Sequence, residues 1–92
     1  MPEKADLIIL VDVYHHIENR EAYFHQLQNS LKRGGHVAII DFRMDSPEGP
    51  PKSARIAINQ VKAEFKRASY ALAQEHTFLP NQYFLVFQPG NP

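Results

Sequence analysis

A chain of 92 residues with ten acidic and ten basic side chains carries no net charge, which removes the electrostatic case for a nucleic-acid partner. It has no cysteine, so disulfides and thiolate chemistry are excluded. At 43% hydrophobic residues it reads as one small folded domain over 1–88, followed by a frayed tail at 89–92.

A domain of this size buries only about 60–65% of the surface its unfolded chain exposes, so its stability is marginal. The longest apolar run, Leu7–Val11, is far too short to span a membrane. Met1–Lys4 leads into no long apolar core with a small-residue cleavage site, so no signal peptide is read there. The expectation is a soluble cytoplasmic protein.

Leu7–His16 (LIILVDVYHH) organises the rest. Its apolar residues do not alternate with polar ones, which predicts a strand from about Asp6 to Val13, buried on both faces as in a parallel sheet. Ile8, Ile9, Val11 and Val13 are β-branched and suit a pleated surface. Such a strand delivers Tyr14, His15 and His16 to the carboxyl edge of a sheet, where open α/β folds keep their ligands.

A helix follows. Asn19 is a fair N-cap, and Glu18 and Glu21 suit the positive end of the helix dipole. Tyr23, Phe24, Leu27 and Leu31 form one apolar stripe, with Arg20, Gln26, Gln28 and Lys32 on the wet side. Lys32 and Arg33 fall in the expected last turn, and Gly34 or Gly35 supplies the left-handed stop.

His36–Phe42 (HVAIIDF) repeats the pattern of an apolar run ending in an acid. Strand, helix, strand with short connections is a right-handed βαβ unit, so Asp12 and Asp41 are expected near one edge of a parallel pair. Arg43–Ser53 holds three prolines and a glycine and reads as a loop, either a lid or substrate contact or a plain solvated connection.

A second helix is expected from Ser53 or Ala54, with Ile58, Val61, Phe65, Ala68 and Leu72 on one face and Lys62, Glu64, Lys66 and Arg67 mostly on the other. It ends near Ala68 or runs on to Gln74. A hairpin then leads from Thr77–Leu79 through Pro80-Asn81 into a strand at Gln82–Gln88.

The order LIILVDVYHHI, helix, LKRGG, HVAIIDF and the closing FLPNQYFLVF resembles the carboxyl half of class I S-adenosylmethionine-dependent methyltransferases of the small-molecule type. The resemblance covers about Ala5 to Gln88. It implies a partial Rossmann-like α/β sheet with strands equivalent to four, five, seven and six of the family, in that spatial order, the seventh antiparallel. The family's Gly-aromatic step into its sixth strand is here Ser69-Tyr70. The glycine turn after the first strand and the ribose-binding acid of the family's amino half have no counterpart among Gly34, Gly35, Gly49 and Gly90 and the acids of this chain.

Two right-handed crossovers running the same way put both helices on one face. The other face and one edge of the first strand are then left without cover, which predicts a homo-oligomer, or a missing amino-terminal half supplied by another chain.

The resemblance places Asp12 near the methionine end of S-adenosylmethionine or near the substrate; otherwise it caps local backbone donors. Tyr14 lines the cofactor pocket or, the favoured reading, is a core aromatic with its hydroxyl at the rim. The resemblance also implies that His15 or His16 faces the substrate as general base or orienting donor, histidine being the side chain that exchanges protons near neutral pH; otherwise the pair is a polar lead-in to the helix. Adjacent residues of an extended segment point opposite ways, so at most one of the two faces a given site. Asp41 and Arg43 close the second strand as substrate-side residues or as a local ion pair. No spaced third ligand accompanies the histidines, so a metal is not expected. His25, His36 and His76 have no site context.

Three functions fit. One is a methyltransferase half completed by a partner, with a small-molecule substrate and no nucleic acid or membrane. Another is a self-associating, non-catalytic domain, and the third is a small-ligand module using the open carboxyl edge.

Overall fold

The computed structural model describes residues 4–47, 49, 51 and 55–90, and of His15 the backbone alone. Its elements run β1 (Ala5–Val11), α1 (Arg20–Leu27), β2 (Leu31–Phe42), α2 (Ile58–Arg67), β3 (Tyr70–His76) and β4 (Gln82–Pro89), with short 3-10 turns at Tyr14–His16 and Gln28–Ser30. The four strands form one sheet in the order β1-β2-β4-β3. β1 and β2 are parallel, and β4 runs antiparallel to both β2 and β3. This is the partial Rossmann-like arrangement expected, with both helices on one face.

That face holds the core. Val37 and Ile39 of β2, Leu85 and Phe87 of β4, and Phe24, Val61 and Phe65 of the helices are all buried in one cluster. The helix spacing of Val61, Phe65 and Ala68 supplies the stripe from α2. Phe65 lies flat on Phe87 with centroids 3.9 Å apart, and its other contacts are Phe24 at 4.5 Å and Tyr70 edge-on at 5.0 Å.

Several expected boundaries shift. Leu31 does not continue α1: the helix ends at Leu27, and Leu31 already opens β2. β2 makes an irregular step between the pairs Ala5–Leu31 and Leu7–His36, and Gly34 takes the left-handed backbone (φ 81) this detour requires. A Cβ on Gly35 would lie 2.9 Å from the Lys32 carbonyl oxygen, so only glycine lets the chain pass there.

α2 ends at Arg67 with Ala68 as its cap, the nearer of the two expected ends, and does not run on to Gln74. Ser69 turns the chain with φ 70, in the place where the resembled family carries glycine. Gln28 seals the helix end by donating to the Ala68 and Ser69 carbonyls at 3.0 and 3.1 Å. Tyr70–His76, partly helical only if the helix had run on to Gln74, is the strand β3, so the outer strand of the hairpin precedes Thr77–Leu79. The expected start of the second helix at Ser53 or Ala54 lies outside the described residues, and α2 itself begins at Ile58. β4 extends to Pro89, and Gly90 N–H donates to Ser69 O at 2.9 Å.

The expectation of a strand buried on both faces does not hold for β1. Among the described residues it pairs with β2 alone, so its outer edge is open there. Ile8 and Leu10 pack against the core, while Leu7, Ile9 and Val11 are 49%, 54% and 49% exposed on the opposite face. The register continues that face through Ala38 and Ile40 of β2 and Val86 and Phe84 of β4. Four strands at about 4.8 Å spacing make it roughly 400 Å² of sheet, within the range of patch sizes that monomers expose, and His36, Gln74 and His76 share the face with the apolar residues.

Candidate functional site at the carboxyl edge

β1 and β2 end side by side, and β4 begins beside β2. The topology therefore gathers Asp12, Asp41, Arg43, Gln82 and Tyr83 at one edge. Asp12 continues β1 by donating its N–H to Ile40 O at 2.8 Å, but its φ of 57 turns the chain sharply away. Aspartate tolerates this left-handed backbone better than most residues. The half-buried Asp12 carboxylate accepts a 2.6 Å hydrogen bond from Gln82 Nε2, which joins the ends of β1 and β4 across β2.

Asp41 is 3% exposed on the helix side of β2, opposite Tyr83 in the register, and its Oδ1 accepts from Phe42 N–H at 2.8 Å. Burial, with the Asp41 charge adding to it, pushes the Tyr83 phenol well above its ordinary range. Tyr83 donates its hydroxyl to Ile56 O at 3.2 Å. Arg43 pairs with Asp45 at 3.2 Å, so its local ion pair lies within the loop. Arg55 ties that loop together by donating to the Arg43 and Ser46 carbonyls at 2.9 and 2.8 Å. A depression of about 400 Å³ opens between Arg43, Met44 and Asp45 on one side and Ala57, Ile58 and Tyr83 on the other.

The segment after Asp12 is a 3-10 turn, not the extended run on which opposite-facing histidines were expected. His16 N–H donates to Val13 O at 3.0 Å and Ile17 N–H to Tyr14 O at 3.1 Å. His16 is exposed. The expectation for the His15 side chain lies outside what is described. Tyr14 is fully buried, stacked on Phe24 at 5.6 Å, and its hydroxyl donates to Glu64 Oε1 rather than standing at the rim.

Glu64 is the residue that sequence reasoning missed. Arg20 grips it in a fork, Nε to Oε1 at 2.6 Å and a terminal nitrogen to Oε2 at 3.0 Å, and Gln60 donates to Oε2 at 3.1 Å. Arg20 also lies over the Tyr14 ring, 5.0 Å from its centroid. Burial pulls the Glu64 carboxyl upward, but the hydrogen bonds from Arg20, Tyr14 and Gln60 outweigh it and hold it at about 2. The Tyr14 phenol is pushed up, by burial first and then by the Glu64 carboxylate. Hydrogen bonding to Glu64 raises the Arg20 guanidinium further. A signal existed in the spacing: Glu64 lies three residues after Val61 and four before Ala68, on the buried side of α2. An open groove of about 550 Å³, lined by Ile17–Ala22 and Glu64, runs beside this cluster. Among the described residues no three metal-ligating side chains come together.

An open-edged α/β sheet with its acids at the carboxyl ends of adjacent parallel strands defines the class: a partial Rossmann-like domain. The family model described as methyltransferase domain matches residues 2–86, and the chain belongs to that family.

A candidate type 11 methyltransferase from Sulfolobus solfataricus is similar at 22% identity and TM-score 0.81, covering 96% of this chain and 52% of that one. A SAM dependent methyltransferase from Aquifex aeolicus matches at 16% identity and TM-score 0.85, covering 95% of this chain and 48% of that one. A structure titled as a DhpI-SAH complex matches at 12% identity and TM-score 0.73, covering all of this chain and 50% of that one. At these identities the likeness is one of fold. The chain spans about half the length of these structures. No curated protein sequence matches it. No helix among the described residues is long and apolar enough to cross a membrane.

Proposed function

We propose that this chain is the carboxyl-terminal half of a methyltransferase that moves the methyl group of S-adenosylmethionine to a small molecule, and that by itself it is inactive. The observation that carries the reading is the sheet order β1-β2-β4-β3 with Asp12 and Asp41 at neighbouring carboxyl ends. It is supported by the family match over nearly the whole chain.

S-adenosylmethionine, when bound, supplies an electrophilic methyl group on a sulfonium. The donor set here fits only one end of such a ligand. Asp12, half-buried with one oxygen bonded to Gln82, suits the cationic amino group at the methionine end. None of the four glycines stands in the turn after β1, and the Tyr14 hydroxyl is directed to Glu64 in the core. We therefore assign Asp12 to the cofactor side, with Tyr14 as support behind it.

His15 and His16 are assigned to the acceptor, as base or as orienting donor; methyl transfer can proceed by alignment alone. Asp41 and Arg43, beside the depression at Met44 and Tyr83, are assigned to the substrate side. The remaining walls come from an amino-terminal half. In its absence the uncovered face at Leu7, Ile9 and Val11 favours self-association, the basis of a second, non-catalytic reading.

Calorimetric titration of the 92-residue chain with S-adenosylhomocysteine tests the proposal. The expected result is no saturable heat in the micromolar range. A micromolar Kd would show that the chain holds a complete site and would overturn the half-site reading.

A further inference from the structure

The link between β1 and α1 is bracketed by two non-glycine residues in left-handed backbone, Asp12 (φ 57) and Asn19 (φ 51). Aspartate and asparagine tolerate that conformation better than other side chains but still at a steric cost, so such a segment keeps its shape where its surroundings hold it. At the near end the hold is Asp12, through Ile40 O at 2.8 Å and Gln82 at 2.6 Å. In the middle and at the far end it is a single carboxylate. Glu64 accepts from the Tyr14 hydroxyl within the turn and from Arg20 at 2.6 and 3.0 Å at the start of α1. Arg20 in turn donates to Ile17 O at 3.3 Å, so the pull reaches back into the turn. The Glu64 side chain is 11% exposed, which leaves water little room to replace these bonds.

We propose that Glu64 is a positioning residue: by binding Tyr14 and Arg20 together it fixes the 3-10 turn that carries His15 and His16 relative to Asp12 and the sheet edge. Stacking of Tyr14 on Phe24 and Phe65, at 5.6 and 6.1 Å, keeps the ring in the core. Stacked rings slide and rotate at small cost, whereas a hydroxyl aimed at a clamped carboxylate sets how far the turn advances. Calling this turn functional rests on the methyltransferase reading. The clamping does not, and it is measurable without any reaction.

The test is residue-resolved amide hydrogen exchange on the 92-residue chain and on its Glu64→Gln and Tyr14→Phe variants. The reporters are the His16 and Ile17 amides, which close the turn onto Val13 O and Tyr14 O. Both variants are expected to speed exchange there by about tenfold or more beyond the factor by which the amides of β2 and β4, which report global stability, speed up. No acceleration at the turn overturns the proposal. So does acceleration by one common factor throughout, because that is the mark of lost global stability alone. Should Glu64→Gln fail to fold, Tyr14→Phe, which keeps the stacked ring, decides by the same criterion.

Discussion

Tyr14, in the turn that follows β1, and Glu64, on α2, are joined by a buried hydrogen bond across a sequence separation of 50 residues. The same carboxylate takes the Arg20 fork, so three elements meet on one charged group close behind the carboxyl edge of the sheet.

That charge makes stability depend on pH in a definite direction. Glu64 is held at about 2 in the folded chain, against about 4.3 for an unperturbed glutamate. A depressed carboxyl contributes stability that is fully present above the unfolded value and is lost as pH falls through the folded one. Thermal melts between pH 7 and pH 2 should therefore show the wild type losing midpoint temperature below about pH 4.5. Glu64→Gln should lack that part of the decline and should cost about 2–4 kcal/mol at pH 7 by leaving Arg20 unpaired. Parallel pH profiles for the two proteins would contradict this assignment.

Ser69 pays for its left-handed turn at the end of α2. Its polar contacts there are made by backbone: N–H to Lys66 O at 3.1 Å, and its carbonyl accepting from Gln28 and from Gly90. Glycine can make all of them without the steric penalty. Ser69→Gly should stabilise by about 0.5–1 kcal/mol, or several degrees in Tm. A loss of stability would mean that the serine side chain contributes something its backbone does not.

Asp12 combines a left-handed backbone with a hydrogen bond to Gln82, and two substitutions separate them. Asp12→Asn keeps the backbone preference and an acceptor, and should cost under about 1 kcal/mol. Asp12→Val loses the acceptor and puts a β-branched residue at φ 57, and should cost about 2–4 kcal/mol. Equal urea-unfolding free energies for the two variants would remove the backbone argument.

Much of this fold is legible in the sequence because its strands and α2 announce themselves by apolar runs and stripes. LIILV and HVAIIDF, with a helix between them, dictate a parallel pair and so put Asp12 and Asp41 at one edge. Leu31 was less legible, since it fits the stripe of Tyr23, Phe24 and Leu27 as well as it fits a strand; the register with Ala5 decides it. β3 hid because Ala71, Leu72 and Ala73 are good helix formers, and tertiary pairing with β4 overrides that preference. Glu64 hid for another reason. A glutamate among Lys62, Lys66 and Arg67 looks like part of a solvated face, and only the fold reveals that Tyr14 and Arg20 converge on it. A βαβ pattern says which chain ends share an edge; it does not say which distant side chains will meet behind it.

The central claim is that β1, open along one edge and bare at Leu7, Ile9 and Val11, needs a cover that this chain alone does not provide. Sedimentation equilibrium at micromolar concentration measures this most directly. The wild type should sediment as a dimer or larger, well above the 10.6 kDa of one chain, and Ile9→Lys should bring it down towards that mass with its circular dichroism unchanged. A folded wild-type chain that sediments at 10.6 kDa throughout that range would contradict the claim.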